Sequence, residues 1–172
     1  VIEQELVNFP ISGLTSYQEL SQSMHLDSRT RVLNLETILV DEKLSQRTGF
    51  EAGQEVWRVL RTRTIDGHVA VLDLDFLLVA IVQDLSKEAA ASSIYAYLEG
   101  EKGLDIAYAQ KEITVQPTSE WDRKMMKHKD EYVVLVKSRV YLGDTRQFQY
   151  TESRHKIDKF KFVDFARRKH HL

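Results

Sequence analysis

The sequence has no cysteine and only two prolines among its 172 residues. Without cysteine, the chain cannot form a disulfide scaffold, bind a metal through thiolates or use a cysteine nucleophile. It also lacks any apolar run approaching the roughly 20 residues that a membrane-spanning helix needs. The absence of cysteine also fits the reducing cytoplasm, where we expect this protein to act.

The sequence also lacks an excess of charge of one sign, since 24 Lys and Arg residues nearly balance 26 Asp and Glu residues. The resulting net charge of −2 argues against a broad basic face that grips nucleic acid. The length and the ordinary apolar content predict one globular domain over residues 1–172. The first residue is Val1 rather than Met, so we expect an excised domain or a processed chain.

The pattern of apolar residues and turn signals predicts an α+β domain with a central antiparallel sheet. Four helices are expected, each near a capping residue, and two hairpins are expected around the pairs Asp66-Gly67 and Gly143-Asp144. The predicted helices are 16–25, 41–48, 89–99 and 118–127, and the predicted strands are 30–40, 55–65, 69–79, 104–116, 131–142 and 146–157.

Two arginines lie in an otherwise apolar stripe of the strand at 55–65. Side chains alternate between the faces of a strand, so Arg61 and Arg63 share a face with Trp57 and Val59. A buried guanidinium needs an anionic partner, which a phosphate or carboxylate ligand can supply. Carboxylates of the protein, or solvent at the strand end, would satisfy the arginines equally well.

Asp73 and Asp75 interrupt the following strand in the same way. A two-residue Asp66-Gly67 turn would place Asp73 on the face opposite to Arg61, whereas a three-residue turn with a bulge would bring them to one face. The sequence does not decide between the two turns. A pair of carboxylates can also serve a hydrolase, but nothing else in the sequence supports that chemistry.

Two predicted helix starts, at Ser16 and at Ser92-Ser93, offer a hydroxyl and free amides. Such groups can bind an anion, although a plain cap is the commoner role. The six histidines show no metal-ligand spacing, and no metal or cofactor is expected. No nucleophile elbow, phosphate-binding loop or dinucleotide fingerprint is found.

Four segments, taken in order, resemble the effector-binding (UTRA) domain of HutC-type GntR transcription regulators. They are Leu14-Thr15-Ser16-Tyr17-Gln18-Glu19, Leu60-Arg61-Thr62-Arg63 before Asp66-Gly67, Ser93-Ile94-Tyr95, and the closing run from Tyr150 to Phe162. The ending, with Asp-Phe-Ala-Arg-Arg at 164–168, is similar to the trehalose-responsive members of that family.

The resemblance implies a chorismate-lyase-like fold, a homodimer and no catalysis. It also implies a winged-helix DNA-binding domain, absent from this chain, that precedes the effector-binding domain and contacts operator DNA. The expected effector is a phosphorylated sugar, trehalose 6-phosphate, whose binding relieves repression. The alternative on the same fold is a lyase that acts on a chorismate-like carboxylate.

The resemblance further implies the residues of the site. Those expected to hold the phosphate are Arg61, Arg63, Tyr17, Gln18, Ser93 and Tyr95. Those expected to contact the sugar are Asp73, Gln149, Glu152 and His155. Three positions depart from the family pattern, which has a Glu at Asp73, a Tyr at His155 and a Gly at Ile157.

Overall fold

A six-stranded antiparallel sheet forms the centre of the computed structural model, which describes residues 7–9, 28–164, 166 and 168. The strands in chain order are β1 (Val7–Phe9), β2 (Ser28–Leu39), β3 (Glu55–Ile65), β4 (His68–Leu78), β5 (Ile106–Pro117), β6 (Tyr132–Leu142), β7 (Gln147–Lys156) and β8 (Phe160–Phe162). The large sheet has the order β2-β3-β4-β7-β6-β5, while β1 and β8 pair with each other in parallel. The predicted α+β class is confirmed.

Short helices flank the sheet. They are α1 (Glu42–Thr48), α2 (Lys87–Ala91), α3 (Ile94–Ala96) and α4 (Glu120–Met126), with a π-helical turn at Tyr97–Glu101 and a 3₁₀ turn at Ile157–Lys159. Helix α1 is the clearest agreement with the sequence, because Asp41 accepts a 2.7 Å hydrogen bond from the Leu44 amide and Gly49 ends the helix with φ 87°. The predicted helix at 16–25 lies outside the described residues. None of the described helices is long and apolar enough to cross a membrane.

The single helix predicted over residues 89–99 is wrong. The chain leaves the helical conformation at Ser92 and Ser93, and a new turn begins where the Ser93 hydroxyl accepts from the Ala96 amide at 3.2 Å. Serine hydroxyls compete with the helical backbone for hydrogen bonds, and two in succession favour a cap over a continuous helix. The break brings the Ser93 side chain to a buried position, 8% exposed.

Apolar cores lie on both faces of the sheet. One face carries the larger core, in which Val59, Leu77 and Val140 pack against Ala90 and Ile94 of the α2–α3 segment. The opposite face carries two smaller clusters under α1 and α4. Their members are Val40, Phe50, Val56, Phe76, Leu78 and Tyr150 in one, and Leu60, Leu72, Met126 and Val133 in the other.

The β3–β4 hairpin has the two-residue turn, yet it still brings Arg61 and Asp73 to the same face. Asp66 and Gly67 both have positive φ, 49° and 81°, and Ile65 pairs with His68 across the turn. The register then shifts by one residue, because Ala70 bulges out between the pairs Thr64–Val69 and Arg63–Val71. The expectation that only a three-residue turn could align Arg61 with Asp73 is therefore corrected, since the bulge does so instead.

Candidate functional site

Two buried ion pairs lie at the centre of the sheet, on the face that carries Arg61, called here the site face. Arg61 Nη2 donates to Asp75 Oδ2 at 2.7 Å, and Arg63 Nε donates to Asp73 Oδ2 at 2.5 Å. None of the four residues is more than 7% exposed. Of the partners considered for the two arginines, the structure shows carboxylates of the protein.

Neighbouring elements hold this arginine–aspartate cluster in place. Arg61 also donates to the Ala90 carbonyl at 3.3 Å, and Arg63 to the Thr30 hydroxyl at 3.2 Å. From β7, the Ser153 hydroxyl donates to Asp73 and the Gln149 amide donates to Asp75. Such connections matter because a buried charge is tolerated only when its hydrogen bonds are nearly complete.

Two polar atoms at this cluster are buried without a hydrogen-bond partner among the residues that the structure describes. They are Arg61 Nε, a donor, and Gln149 Oε1, an acceptor. Leaving such an atom unsatisfied costs about 1–3 kcal/mol, so native structures rarely keep one without a reason. A ligand with both acceptor and donor oxygens, such as a phosphorylated sugar, can satisfy both atoms.

The two aspartates differ in how their surroundings treat the negative charge. Burial and the neighbouring Asp73 raise the pKa of Asp75 above its usual value, despite the contact with Arg61. The pKa of Asp73 is instead lowered, because Arg63, Arg61 and the Ser153 hydroxyl outweigh its burial. Asp75 is therefore the carboxylate whose charge is less well compensated.

His155 lies beside the same cluster on β7 and is 6% exposed. Burial lowers its pKa from 6.5 to about 4, with Arg63 acting in the same direction and Asp73 against it. The imidazole is thus neutral at physiological pH, when it has one donor and one acceptor nitrogen. A neutral imidazole at this position suits contact with hydroxyl groups.

Ser93 and Tyr95 lie at the start of α3, in the α2–α3 segment. The hydrogen bond between Arg61 and the Ala90 carbonyl ties this segment to β3. Ser93 is buried and uses its hydroxyl oxygen as the cap of α3, whereas half-buried Tyr95 lies near enough to contribute to the raised pKa of Arg61. The structure therefore brings Tyr95 close to Arg61 and places Ser93, three residues after Ala90, in the segment that Arg61 contacts. Tyr17 and Gln18 lie outside the described residues.

Glu152 is the one described candidate that the structure separates from the site. Alternation along β7 turns it to the opposite face, where Arg47 of α1 donates to both of its carboxylate oxygens, one at 2.7 Å. The Tyr150 hydroxyl donates to it as well, at 2.8 Å. The expectation that Glu152 contacts the sugar is corrected, since its role is to anchor α1 to the sheet.

Two residues of the cluster are not among the predicted site residues. Asp75 interrupts the strand pattern but has no role assigned by the resemblance, and Ser153 is assigned none either. Alternation identifies both, because Asp75 follows Asp73 by two positions and Ser153 precedes His155 by two. Among the described residues, no group of three or more His, Asp or Glu side chains could hold a metal ion.

The chain is similar to a known domain family and to known transcription regulators. A family model described as "UTRA domain" matches residues 23–161. The chain is 42% identical over 169 residues to the HTH-type transcriptional regulator TreR of Bacillus subtilis, covering 98% of this chain and 71% of that protein. It is 30% identical to the mannosyl-D-glycerate transport/metabolism system repressor MngR of Escherichia coli, covering 98% of this chain and 70% of the repressor.

Solved structures agree with this assignment. The effector-binding domain of the B. subtilis trehalose repressor matches with a TM-score of 0.75 and 42% identity, over 83% of this chain and 99% of that domain. The effector domain of PhnF from Mycobacterium smegmatis matches with a TM-score of 0.81 over 94% of this chain and all of that domain. At 18% identity, the similarity to PhnF supports a shared fold and nothing further.

Proposed function

Because the chain belongs to the UTRA-domain family of GntR-type transcription regulators, we propose that it is the effector-sensing domain of a repressor and that its effector is trehalose 6-phosphate. Its relatives named above are transcription regulators, and domains of this kind bind effectors rather than catalyse reactions. The lyase alternative has no support from them. A sensor of this kind would act in the cytoplasm, where the DNA is.

The observation that carries the proposal is the buried arginine–aspartate cluster with its unsatisfied donor and acceptor. A phosphate would accept hydrogen bonds from Arg61, including Nε, and from Arg63, and the Ser93 and Tyr95 hydroxyls are further candidate donors. Charge-assisted bonds of this type contribute about 1.5–3 kcal/mol each. The phosphate group would thus supply a large share of the binding free energy.

The sugar part would lie toward β7. Gln149 Oε1 is available as an acceptor, and neutral His155 and Asp73 face the same region. Hydroxyl groups of a sugar both donate and accept, and can therefore match an amide oxygen, a carboxylate and an imidazole together. Identity to the trehalose regulator supports trehalose as the sugar, while the side chains alone support the wider class of phosphorylated sugars.

We further propose that a winged-helix domain precedes this one in the complete regulator, and that two copies associate. Effector binding would then lower the affinity for operator DNA by favouring one arrangement of the two DNA-binding domains. Such coupling requires the effector to bind one arrangement more tightly than the other, because equal affinity for both shifts nothing.

Isothermal titration of the chain with trehalose 6-phosphate, glucose 6-phosphate and unphosphorylated trehalose tests the proposal. We expect both phosphates to bind and trehalose to bind at least about 100-fold more weakly than its phosphate, because it lacks the group that the arginines hold. The variant Arg61→Met should lose most of the affinity for both sugar phosphates, because it removes a guanidinium from the cluster.

Arg58→Met is the matched control, since Arg58 lies on the same strand but faces the other side of the sheet, 3.7 Å from Glu36. It should leave all affinities within about twofold. Equal affinity for trehalose and its phosphate, or unchanged binding by Arg61→Met, would contradict the proposed phosphate site.

A further inference from the structure

A row of polar side chains continues across the site face, away from the arginines. Asp75 on β4 pairs with Thr151 on β7, Thr151 pairs with Ser138 on β6, and Ser138 pairs with Lys111 on β5. Residues paired directly across neighbouring strands point to the same face, with their Cβ atoms roughly 5 Å apart. Thr151, Ser138 and Lys111, called here the polar track, therefore join the arginine–aspartate cluster without interruption.

The rows on either side of the polar track are apolar where they cross β6 and β5. On one side Ser153 is followed by Val136 and Ile113, and on the other side Gln149 is followed by Val140 and Ala109. Polarity on this half of the face is thus confined to one row. A few polar groups among apolar ones are also the usual lining of small-molecule sites.

The members of the polar track are sheltered from solvent. Ser138 is 7% exposed, and Thr151 and Lys111 are half-buried. Burial lowers the pKa of Lys111, which means that the site removes part of the hydration of the ammonium group. A half-buried ammonium group beside two hydroxyls offers both donors and acceptors of hydrogen bonds on this face.

Resting on the proposed function, we propose that the polar track is a second sugar subsite, which takes the uncharged distal ring of a phosphorylated disaccharide. Neighbouring strands lie about 4.8 Å apart, so Lys111 on β5 is about 14 Å along the sheet from Asp75 on β4. A monosaccharide phosphate held by the arginines ends over β4 and β7. A second ring continues over β6, where Thr151 and Ser138 exchange hydrogen bonds with its hydroxyls and Lys111 donates to them.

The test compares Lys111→Met with Lys137→Met by isothermal titration. Methionine keeps an unbranched apolar side chain and removes the ammonium group. Lys137 is the matched control because it lies on β6 next to Ser138, is half-buried and points to the opposite face, paired with Glu152. We expect Lys111→Met to weaken trehalose 6-phosphate about tenfold and to leave glucose 6-phosphate within about twofold.

Lys137→Met should leave both ligands within about twofold, and a second track variant, Ser138→Ala, should repeat the selective loss at a smaller size, about threefold. If Lys111→Met weakens both phosphates equally, or neither, the second subsite is refuted while the phosphate site stands. If the unchanged protein binds neither sugar phosphate, the proposed function fails and the second subsite fails with it.

Discussion

Replacing Asp75 with asparagine removes one negative charge from the buried cluster and preserves the shape of the side chain. In the structure Asp75 holds Arg61 through a 2.7 Å hydrogen bond, so a bound phosphate has to share that guanidinium with a carboxylate. The expected effect has two parts, a small loss of stability and a gain in affinity for sugar phosphates. The two parts are measured separately.

The loss of stability should be about 1 kcal/mol. The bond from Arg61 stays charge-assisted, because its donor is still a guanidinium, so it weakens by about 1 kcal/mol without disappearing. Removal of the repulsion from Asp73, which contributes to the raised pKa of Asp75, offsets part of this loss. The introduced amide can also donate to the side-chain oxygen of Gln149 once the Gln149 amide turns over, which would satisfy that oxygen.

The gain in affinity follows from charge. In a carboxylate–guanidinium–phosphate row the two anions lie about 8 Å apart, where a unit charge and a dianion repel by about 1 kcal/mol in water and about 4 kcal/mol at an effective dielectric of 20. We therefore expect Asp75→Asn to bind trehalose 6-phosphate at least about fivefold more tightly. Isothermal titration at a pH of about 7.5, where the phosphate is mostly dianionic, measures this.

Asp122→Asn provides the control. Asp122 is fully buried on the opposite face, accepts two hydrogen bonds from Arg154 and two from Ser119, and has a lowered pKa because these bonds outweigh its burial. Because the pKa of Asp122 is lowered whereas that of Asp75 is raised, loss of the charge should cost more stability at Asp122, and urea denaturation should show the larger loss here. The affinity for the sugar phosphate should stay unchanged. Weaker or unchanged binding by Asp75→Asn would refute the competition between Asp75 and phosphate for Arg61.

Two further predictions concern β7. His155 has a pKa of about 4 when folded and 6.5 otherwise, so its contribution to stability is present above pH 6.5 and is lost as the pH falls toward 4. Between pH 7 and pH 5 this loss amounts to about 2 kcal/mol. The free energy of unfolding of His155→Gln, measured by urea denaturation, should therefore change less over this pH range by that amount. An unchanged pH dependence would show that His155 is not buried in its neutral form. Glu152→Gln should lower stability by about 1 kcal/mol, because it weakens the ion pair with half-exposed Arg47, and should leave the affinity for sugar phosphates unchanged. A loss of affinity of about tenfold would show instead that Glu152 contacts the ligand.

The sheet could be predicted from the sequence because its hairpins carry strong local signals. Alternating apolar residues and the Asp66-Gly67 turn set the boundaries of β3 and β4 to within a residue. The register between the two strands could not be predicted, because nothing in an alanine flanked by valines indicates the bulge at Ala70. The helix start at Ser92-Ser93 was predicted, but the break before it was not, because the preference of serine for caps is small against an otherwise helical pattern over 89–99.

Strand alternation placed Arg61 and Arg63 on one face, as the structure has them, and that these arginines and the residues named by the resemblance bind a ligand stays a prediction. The error at Glu152 was avoidable in physical terms, because Gln149 and His155 lie an even number of residues apart while Glu152 is an odd number from both. A residue with that spacing on a regular strand points away from its neighbours. Burial of the arginines against Asp73 and Asp75 could not be known beforehand, because it depends on the register between strands.

The bulge at Ala70 determines which face of β4 meets the arginines. If the strands paired regularly from the turn with every residue kept, Arg61 would lie opposite Leu72, and Leu72 and Leu74 would face the arginines. Deletion of Ala70 would remove the extra residue and leave Arg61 opposite Asp73. The hairpin can therefore lose its bulged residue during evolution and still keep the arginines and aspartates on one face.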